Sequence, residues 1–131
     1  MKQIKTNKIE DLASFLDDIF PLIKAKKIIL LEGDLGAGKT TFVKLLARKI
    51  GIKDRITSPS FSYMKTYDGL VHIDLYNYRG DIEEFMDYFD DNIVAIEWSN
   101  LLKSLPFESY LKINAKLLEN DFHEFEIIEE K

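Results

Sequence analysis

Four residues of types suited to phosphate chemistry stand in one short stretch of the chain. Residues 30–42 read LLEGDLGAGKTTF, in which Gly33, Gly38, Lys39 and Thr40 fit the pattern G-x-x-x-x-G-K-[ST]. Glycines permit the backbone angles and the close approach by which main-chain N–H groups surround a phosphate. Lys39 offers a positive charge to the β- and γ-phosphates, and the Thr40 hydroxyl suits Mg²⁺. The stretch predicts a binding site for nucleotide phosphates.

A loop of this kind works with a carboxylate from a neighbouring strand, which helps to hold Mg²⁺ and to organise water. Glu97 follows the apolar run 93–96, and Asp74 follows the apolar run 70–73. The run before Glu97 is the more hydrophobic, so we expect its strand to neighbour the strand that precedes the loop. We therefore assign Glu97 to Mg²⁺, directly or through water, and Asp74 to the attacking water. An exchange of these two roles stays open.

The elements that must position the loop are visible on both sides of it. Residues 27–32 are typical of a buried parallel strand, and residues 40–50 have apolar positions at helical spacing. Gly51 is suited to end that helix. The side chains expected to pack the helix on the sheet are Phe42, Val43, Leu45, Leu46 and Ile50.

The first residues predict a short edge strand and a covering helix. We expect the strand within residues 1–6, and the helix from the apolar positions that recur between Ile9 and Phe20. Asn7 and Glu10 resemble a capping box, in which the two side chains satisfy backbone N–H groups reciprocally. Pro21 is expected to end this helix or to follow it closely.

The remaining segments predict a loop, two hairpins and two short helices. Residues 57–61, TSPSF, form either a plain connection or a switch-like loop whose hydroxyls face the γ-phosphate. Asp68-Gly69 predicts a type I′ turn between strands in 61–67 and 70–76. A short helix is expected from Asp81, a buried strand at 93–98 that ends in Glu97, and another short helix before Pro106. Residues 110–118 and 122–130 read as a second hairpin.

Composition limits the classes of function. The chain has 131 residues, of which 46% are hydrophobic and 31% charged, so we expect one globular domain over residues 1–131. A net charge of −5 argues against broad binding to nucleic acid or anionic membrane. There is no cysteine, signal-peptide pattern or long apolar span, which together predict a cytoplasmic protein without disulfides. His72 and His123 lack metal-ligand spacing, and His72 is expected to be a structural hydrogen-bonding residue.

Four motifs in this order resemble one family. LEGDLGAGKTTF, SPSF, HIDLYNYR and AIEWSN are similar to the motifs of the TsaE (YjeE) family, small bacterial P-loop ATPases of tRNA threonylcarbamoyladenosine biosynthesis. The resemblance spans residues 31–100 and is expected to extend over the whole chain. It implies an α/β P-loop NTPase-like mixed sheet with flanking helices and antiparallel hairpins, slow Mg²⁺-dependent ATP hydrolysis, and partnership with the TsaD and TsaB proteins.

The resemblance also implies roles for individual residues. Thr41 would join Lys39 and Thr40 in the phosphate site, Asp74 would be important for hydrolysis, and Trp98 matches the Glu-Trp pair of the family. The expected nucleotide-binding residues are Gly33, Asp34, Leu35, Gly36, Ala37, Gly38, Lys39, Thr40 and Thr41. The expected catalytic residues are Lys39, Asp74 and Glu97, and the expected metal ligands are Thr40 and Glu97.

Two departures from the family pattern are visible. Where the family has Ser-Pro-Thr-Phe, this chain has Ser60 in place of the threonine, and the hydroxyl is kept. The arginine of Asp-Leu-Tyr-Arg is replaced by Asn77, and Arg79 follows two residues later. The role of that arginine is therefore open in this chain.

The sequence leaves three functions open. The leading hypothesis is an ATPase that acts as a timing component of the tRNA-modifying system, with contact to tRNA left mainly to its partners. The absence of an Asn-Lys-x-Asp sequence favours ATP over GTP. A small-molecule kinase is the second hypothesis, against which the presence of only three arginines argues. A non-catalytic binding module gated by nucleotide is the third.

Overall fold

The computed structural model describes residues 3–131, within which the strands form one mixed sheet. The sheet order is β1-β7-β6-β2-β5-β4-β3. The strands are β1 (Gln3–Thr6), β2 (Ile28–Glu32), β3 (Met64–Tyr67), β4 (Leu70–Asp74), β5 (Ile93–Glu97), β6 (Leu111–Leu117) and β7 (His123–Glu130). The helices are α1 (Ile9–Lys26) and α2 (Lys39–Ile50), with 3₁₀ turns at Ser60–Ser62, Ile82–Tyr88, Ser99–Leu101 and Glu119–Asp121.

The centre of the sheet is parallel and its margins are antiparallel. Strand β2 pairs in parallel with β5 on one side and with β6 on the other, and β5 pairs in parallel with β4. Hairpins add β3 beside β4 and β7 beside β6, and β1 closes the far margin beside β7. The predicted mixed α/β fold with flanking helices and two hairpins is confirmed. The expected neighbour relation between the strand of Glu97 and the strand before the loop is also confirmed.

Alternation along the central strands divides the core between two faces. Ile29, Leu31, Leu70 and Ala95 face the cluster that contains the apolar sides of α1 and α2. Their neighbours Leu30, Val71, Val94 and Ile96 face a second cluster, covered by side chains of the segments that follow β4 and β5. Within α2, Phe42, Val43, Leu46 and Ala47 are buried, and the predicted Leu45 and Ile50 pack at the margin.

The predicted cap of α1 is wrong, although the helix begins at Ile9 as its apolar pattern predicts. Lys8 is the N-cap residue and no side chain caps the helix, so Asn7 and Glu10 form no capping box. Thr6 takes a related part, because its hydroxyl accepts the Lys8 N–H at 2.9 Å and donates to Asp11 Oδ2 at 2.7 Å. The predicted edge strand covers Gln3–Thr6, and residues 1–2 lie outside the described part of the chain.

The predicted end of α1 is also wrong. Pro21 lies inside the helix, which continues to Lys26. A proline removes one backbone donor, yet burial of Ile19 and Ile23 on either side of it keeps the helix on the sheet. Tertiary packing therefore outweighs the local preference for a helix end.

The remaining boundaries differ in small ways. Lys27 stands just outside β2 in a left-handed conformation, and α2 begins at Lys39. Gly51 ends α2 as predicted, with its N–H on the carbonyls of Ala47 and Arg48. The Asp68-Gly69 turn is not type I′, because only Gly69 has a positive φ, and type I′ requires positive values at both residues. Of the helices described, none is both long and apolar enough to span a membrane.

Candidate nucleotide site

The loop between β2 and α2 is shaped by its glycines. Gly33 has a φ of +141°, and a Cβ at this position would collide with the backbone oxygen of Ala115 on β6. Gly38 caps α2 in a left-handed conformation, and a Cβ there would lie 2.9 Å from the Phe125 ring. The backbone of the loop therefore packs directly against the β6–β7 hairpin, at two points where only glycine fits.

Lys39 is held at the start of α2 with its ammonium group over the loop. Its side chain donates to the carbonyl oxygens of Gly33 and, at 3.0 Å, of Asp34, and Nζ lies 4.0 Å from the centroid of the Trp98 ring. Burial lowers the pKa of Lys39, while the negative charges of Glu97, Asp74 and Asp34 act in the opposite direction. The site thus combines a buried cation with nearby carboxylates.

Glu97 is brought directly to the start of α2. The Thr40 hydroxyl lies 3.1 Å from both carboxylate oxygens, and the exposed fraction of Glu97 is 2%. The parallel register pairs Leu31 of β2 with Glu97 of β5, so the carboxylate stands beside the point where the loop leaves the sheet. His72 Nε2 lies 2.6 Å from Glu97 Oε2 on the buried side.

Asp74 stands next to Glu97 at the end of the adjacent strand. The two residues are direct register partners between β4 and β5. Asp74 is half-buried; its Oδ1 accepts the Tyr76 N–H at 3.0 Å, and its Oδ2 accepts the Ser58 hydroxyl at 3.3 Å. Ser58 belongs to the TSPSF segment, so that loop reaches the site through one hydroxyl. The Ser60 side chain lies outside what the structure describes.

These residues line one cleft. It has a volume of about 330 Å³ and is bounded by residues 35–41 of the loop and helix, with Ser58, Asp74, Glu97, Trp98 and His123. Every predicted catalytic residue lines this cleft, together with the predicted loop residues from Leu35 to Thr41. The predicted Gly33 and Asp34 are not among its lining residues, and their carbonyls accept hydrogen bonds from Lys39.

Three contacts of the site were missed or undervalued in the sequence. His72, expected to be structural, forms its hydrogen bond with Glu97 itself; its position two residues before Asp74 on the same strand face was the available signal. His123 lines the cleft, and its Nδ1 lies 2.9 Å from the Ala37 carbonyl of the loop. Nothing in the local sequence around His123 indicates this contact. Ser58 was expected only as one hydroxyl of a switch-like loop.

The arginines lie elsewhere. Arg48 Nη1 donates to the carbonyls of Ile52 and Asp54, where it closes the connection after α2. Arg79 is exposed, and neither it nor Asn77 is among the residues that line the cleft. Trp98, whose surroundings the sequence left open, lines the cleft and packs on Tyr76 with ring centroids 5.1 Å apart.

The donor set fits a hard divalent cation. Thr40 and Glu97 offer hydroxyl and carboxylate oxygens, the ligands that Mg²⁺ uses in phosphate sites. Within residues 3–131 there is no group of three histidine, aspartate, glutamate or cysteine side chains arranged to hold a metal. A cation here would therefore take its other ligands from phosphate oxygens and water, which is the usual pattern for Mg²⁺.

The fold and the site together define an α/β protein of the P-loop class. The sequence model of the family described as "Threonylcarbamoyl adenosine biosynthesis protein TsaE" matches residues 6–124. This match covers most of the chain, which therefore belongs to the TsaE family.

Individual relatives agree with this assignment. The chain is 36% identical over 104 residues to the tRNA threonylcarbamoyladenosine biosynthesis protein TsaE of Aquifex aeolicus, covering 75% of this chain and 77% of the relative. It is 33% identical over 133 residues to the Bacillus subtilis protein of the same name, covering 95% and 84%. Among solved structures it is similar to the crystal structure of Bacillus subtilis YdiB, with a TM-score of 0.69 and 28% identity over 95% of this chain and 82% of that chain.

Proposed function

We propose that this chain is the Mg²⁺-dependent ATP-binding and hydrolysing component of the tRNA threonylcarbamoyladenosine system, and that it acts in the cytoplasm with the TsaD and TsaB proteins. The observation that carries the proposal is the approach of the Thr40 hydroxyl to Glu97, at 3.1 Å, beside the ammonium group of Lys39. Thr40 and Glu97 would hold the cation, which would neutralise charge that develops during phosphoryl transfer.

Asp74 is proposed to position or deprotonate the attacking water. It stands on the strand adjacent to that of Glu97, and one of its oxygens meets only the weak contact from Ser58. A half-buried carboxylate at the end of the strand next to that of Glu97 can orient a water or accept its proton. Lys39 would contact the phosphates, with its ammonium group already aimed over the loop.

We also propose a direction for the nucleotide in the cleft. Glu97 and Asp74 bound the end proposed for the terminal phosphate. At the other end, Gly38, Thr41 and His123 line both the cleft and a second cavity of about 200 Å³. Leu12 and Phe125 contribute apolar surface to that cavity, and the backbone that leads into α1 borders it. This arrangement supports placement of the adenine base in the second cavity.

The output is proposed to pass through the TSPSF loop. Ser58 contacts Asp74, and three residues later the Phe61 side chain is 96% exposed. A change at the terminal phosphate would alter the Ser58 contact and with it the surface offered to a partner protein. The net charge of −5 supports leaving most of the tRNA contact to the partners.

The small-molecule kinase receives no support from the cleft. None of its lining residues, all within the described chain, is an arginine that could clamp a transferred phosphoryl group.

The decisive experiment measures phosphate release from ATP with and without Mg²⁺, alone and with TsaD and TsaB added. We expect Mg²⁺-dependent release that the partners stimulate. Binding of ATP without any release under both conditions would favour the nucleotide-gated binding module instead.

A further inference from the structure

His72 is a polar residue in the most buried part of the sheet. Its exposed fraction is 0%, and its strand neighbours Val71 and Ile73 point to the opposite core cluster. His72 therefore faces the same side of the sheet as Leu70 and Asp74, toward α2. Burial of an imidazole in apolar surroundings is unfavourable unless its ring nitrogens are hydrogen-bonded. Packing alone therefore does not explain a histidine at this position.

One ring nitrogen of His72 is hydrogen-bonded to a side chain, and the other is not. Nε2 lies 2.6 Å from Glu97 Oε2, whereas Nδ1 is buried without a hydrogen-bond partner in the described part of the chain. A carboxylate only accepts hydrogen bonds, so the ring must carry its proton on Nε2. The tautomer is thus set by Glu97, and the bare Nδ1 is the remaining unfavourable feature of this arrangement.

The contact fixes the one freedom that Glu97 retains. The terminal torsion of a glutamate side chain is broad, so burial of the chain alone does not decide where its two oxygens point. His72 engages Oε2 from the interior, and the Thr40 hydroxyl lies 3.1 Å from both oxygens on the cleft side. The carboxylate is thereby held between His72 and Thr40, and Glu97 lines the cleft.

We propose that His72 is a positioning residue, which acts through Glu97 to preorganise the Thr40–Glu97 pair for a divalent cation bound with nucleotide. The proposal rests on the Mg²⁺ role given to that pair above. Hydrogen bonds behind a metal ligand change metal affinity or activity by about 10–100-fold when they are removed. His72 contacts neither the cation nor the nucleotide in this scheme.

The test measures binding rather than turnover. Trp98 is the sole tryptophan of the chain and lies 4.0 Å from Lys39 Nζ, so its fluorescence should report a nucleotide in the cleft. The Kd of a non-hydrolysable ATP analogue is measured in EDTA and then at increasing Mg²⁺. The ratio of the two Kd values gives the coupling between cation and nucleotide for each protein.

Three substitutions separate positioning from simple packing. His72→Leu fills the space without a donor, and His72→Asn carries its amide near Nδ1, short of Glu97. His72→Gln can place an amide donor where Nε2 stands. Val71→Ala is the matched control, since it removes buried volume from the same strand on the opposite face. We expect the leucine and asparagine variants to reduce the Mg²⁺ coupling by about tenfold or more, while Kd in EDTA is retained. The glutamine variant should recover most of the coupling, and Val71→Ala should lower thermal stability alone.

The outcomes distinguish the two proposals. Coupling in His72→Leu equal to that of the unsubstituted protein would overturn the positioning role. An unsubstituted protein that binds the analogue equally with and without Mg²⁺ would instead remove the metal role of Thr40 and Glu97. Imidazole ¹⁵N NMR of the unsubstituted protein needs no variant to fold: a proton on Nε2 of His72 supports the inference, and a proton only on Nδ1 contradicts it.

Discussion

The ends of β5 and β4 carry one carboxylate each, side by side, yet the two are built differently. Glu97 is 2% exposed and meets Thr40 and His72 through both of its oxygens. Asp74 is half-buried, and its contacts are a turn N–H and the hydroxyl of the exposed Ser58. The first carboxylate is held by side-chain contacts on both of its oxygens, and the second is tied to a loop at the surface.

This difference supports different proposed roles for the two carboxylates. A metal ligand benefits from being held in one orientation, because preorganisation removes the cost of arranging it during the reaction. A residue that handles water and reports on the terminal phosphate needs access to solvent and a connection to the surface. The difference in burial and contacts supports the proposal that Glu97 binds the cation and Asp74 acts on the water. The sequence alone left open an exchange of these two roles.

Substitution of Glu97 should have the largest effect. Glu97→Gln keeps the shape but removes the charge, so we expect the Mg²⁺ enhancement of nucleotide binding to disappear and ATP turnover to fall by at least about a hundredfold. Glu32→Gln is the control, because Glu32 ends the neighbouring strand β2 but pairs with Lys112 at 3.8 Å. Retained Mg²⁺ coupling in Glu97→Gln, measured by titration calorimetry, would reverse the comparison.

Substitution of Asp74 should separate turnover from binding. We expect Asp74→Asn to lower kcat about a hundredfold, toward the lower end of what a general base contributes, and to leave the Kd for nucleotide with Mg²⁺ nearly unchanged. Asp81→Asn removes a carboxylate from the N-cap of the following 3₁₀ turn, outside the cleft, and should change neither quantity. A loss of Mg²⁺-dependent binding in Asp74→Asn would show that this residue, and not Glu97, carries the metal.

The link between Asp74 and the surface loop should be worth less. Ser58→Ala removes the 3.3 Å hydroxyl contact. We expect kcat to fall a few-fold, because a hydrogen bond typically contributes about 0.5–1.5 kcal/mol. Ser62→Ala is the matched change in the same region, because its hydroxyl donates to Pro59 at 2.8 Å and not to Asp74. Equal effects of the two substitutions on turnover would indicate general loosening of the loop rather than a specific link.

The smallest effect tests what holds the segment after Asp74. Burial and the neighbouring Glu84 raise the pKa of Tyr78 to about 12, and its ring packs on Tyr63 and Phe85. The unfolded chain would lose this proton near its ordinary value of 10.0, whereas the folded chain keeps it longer. Stability should therefore fall as pH rises from about 10 to about 12.

The measurement is a spectrophotometric titration of the phenolate band combined with denaturant unfolding at several alkaline pH values. Tyr78→Phe should remove this part of the pH dependence, and Glu84→Gln should move the titration toward the ordinary pKa. Ionisation of Tyr78 at its ordinary value in the folded protein would mean that the segment after β4 is more open than its aromatic contacts indicate.

Features that depend on contiguous residues were predictable from the sequence. The loop with its lysine and threonine, the flanking strand and helix, and the helix end at Gly51 all follow from local backbone chemistry. Both strand-end carboxylates were also recognised, because a polar residue after an apolar run marks the edge of a sheet. The predictions that failed, the cap at Asn7 and the helix end at Pro21, also came from local patterns. Lys8 is the N-cap residue, and α1 continues past Pro21 because its apolar side is buried.

The partners that complete the site depended on packing between distant segments. Glu97 lies 57 residues from Thr40, and His123 lies 86 residues from Ala37, so no local pattern joins either pair. Each contact is set by strand order: β5 beside β2 places Glu97 at the loop, and β7 beside β6 brings His123 over it. The sequence by itself predicted a loop suited to hold a phosphate, because the loop is one continuous piece of backbone. Only the tertiary structure decided which carboxylate is fixed behind it, because that choice follows from which strands become neighbours and which side chains their register buries.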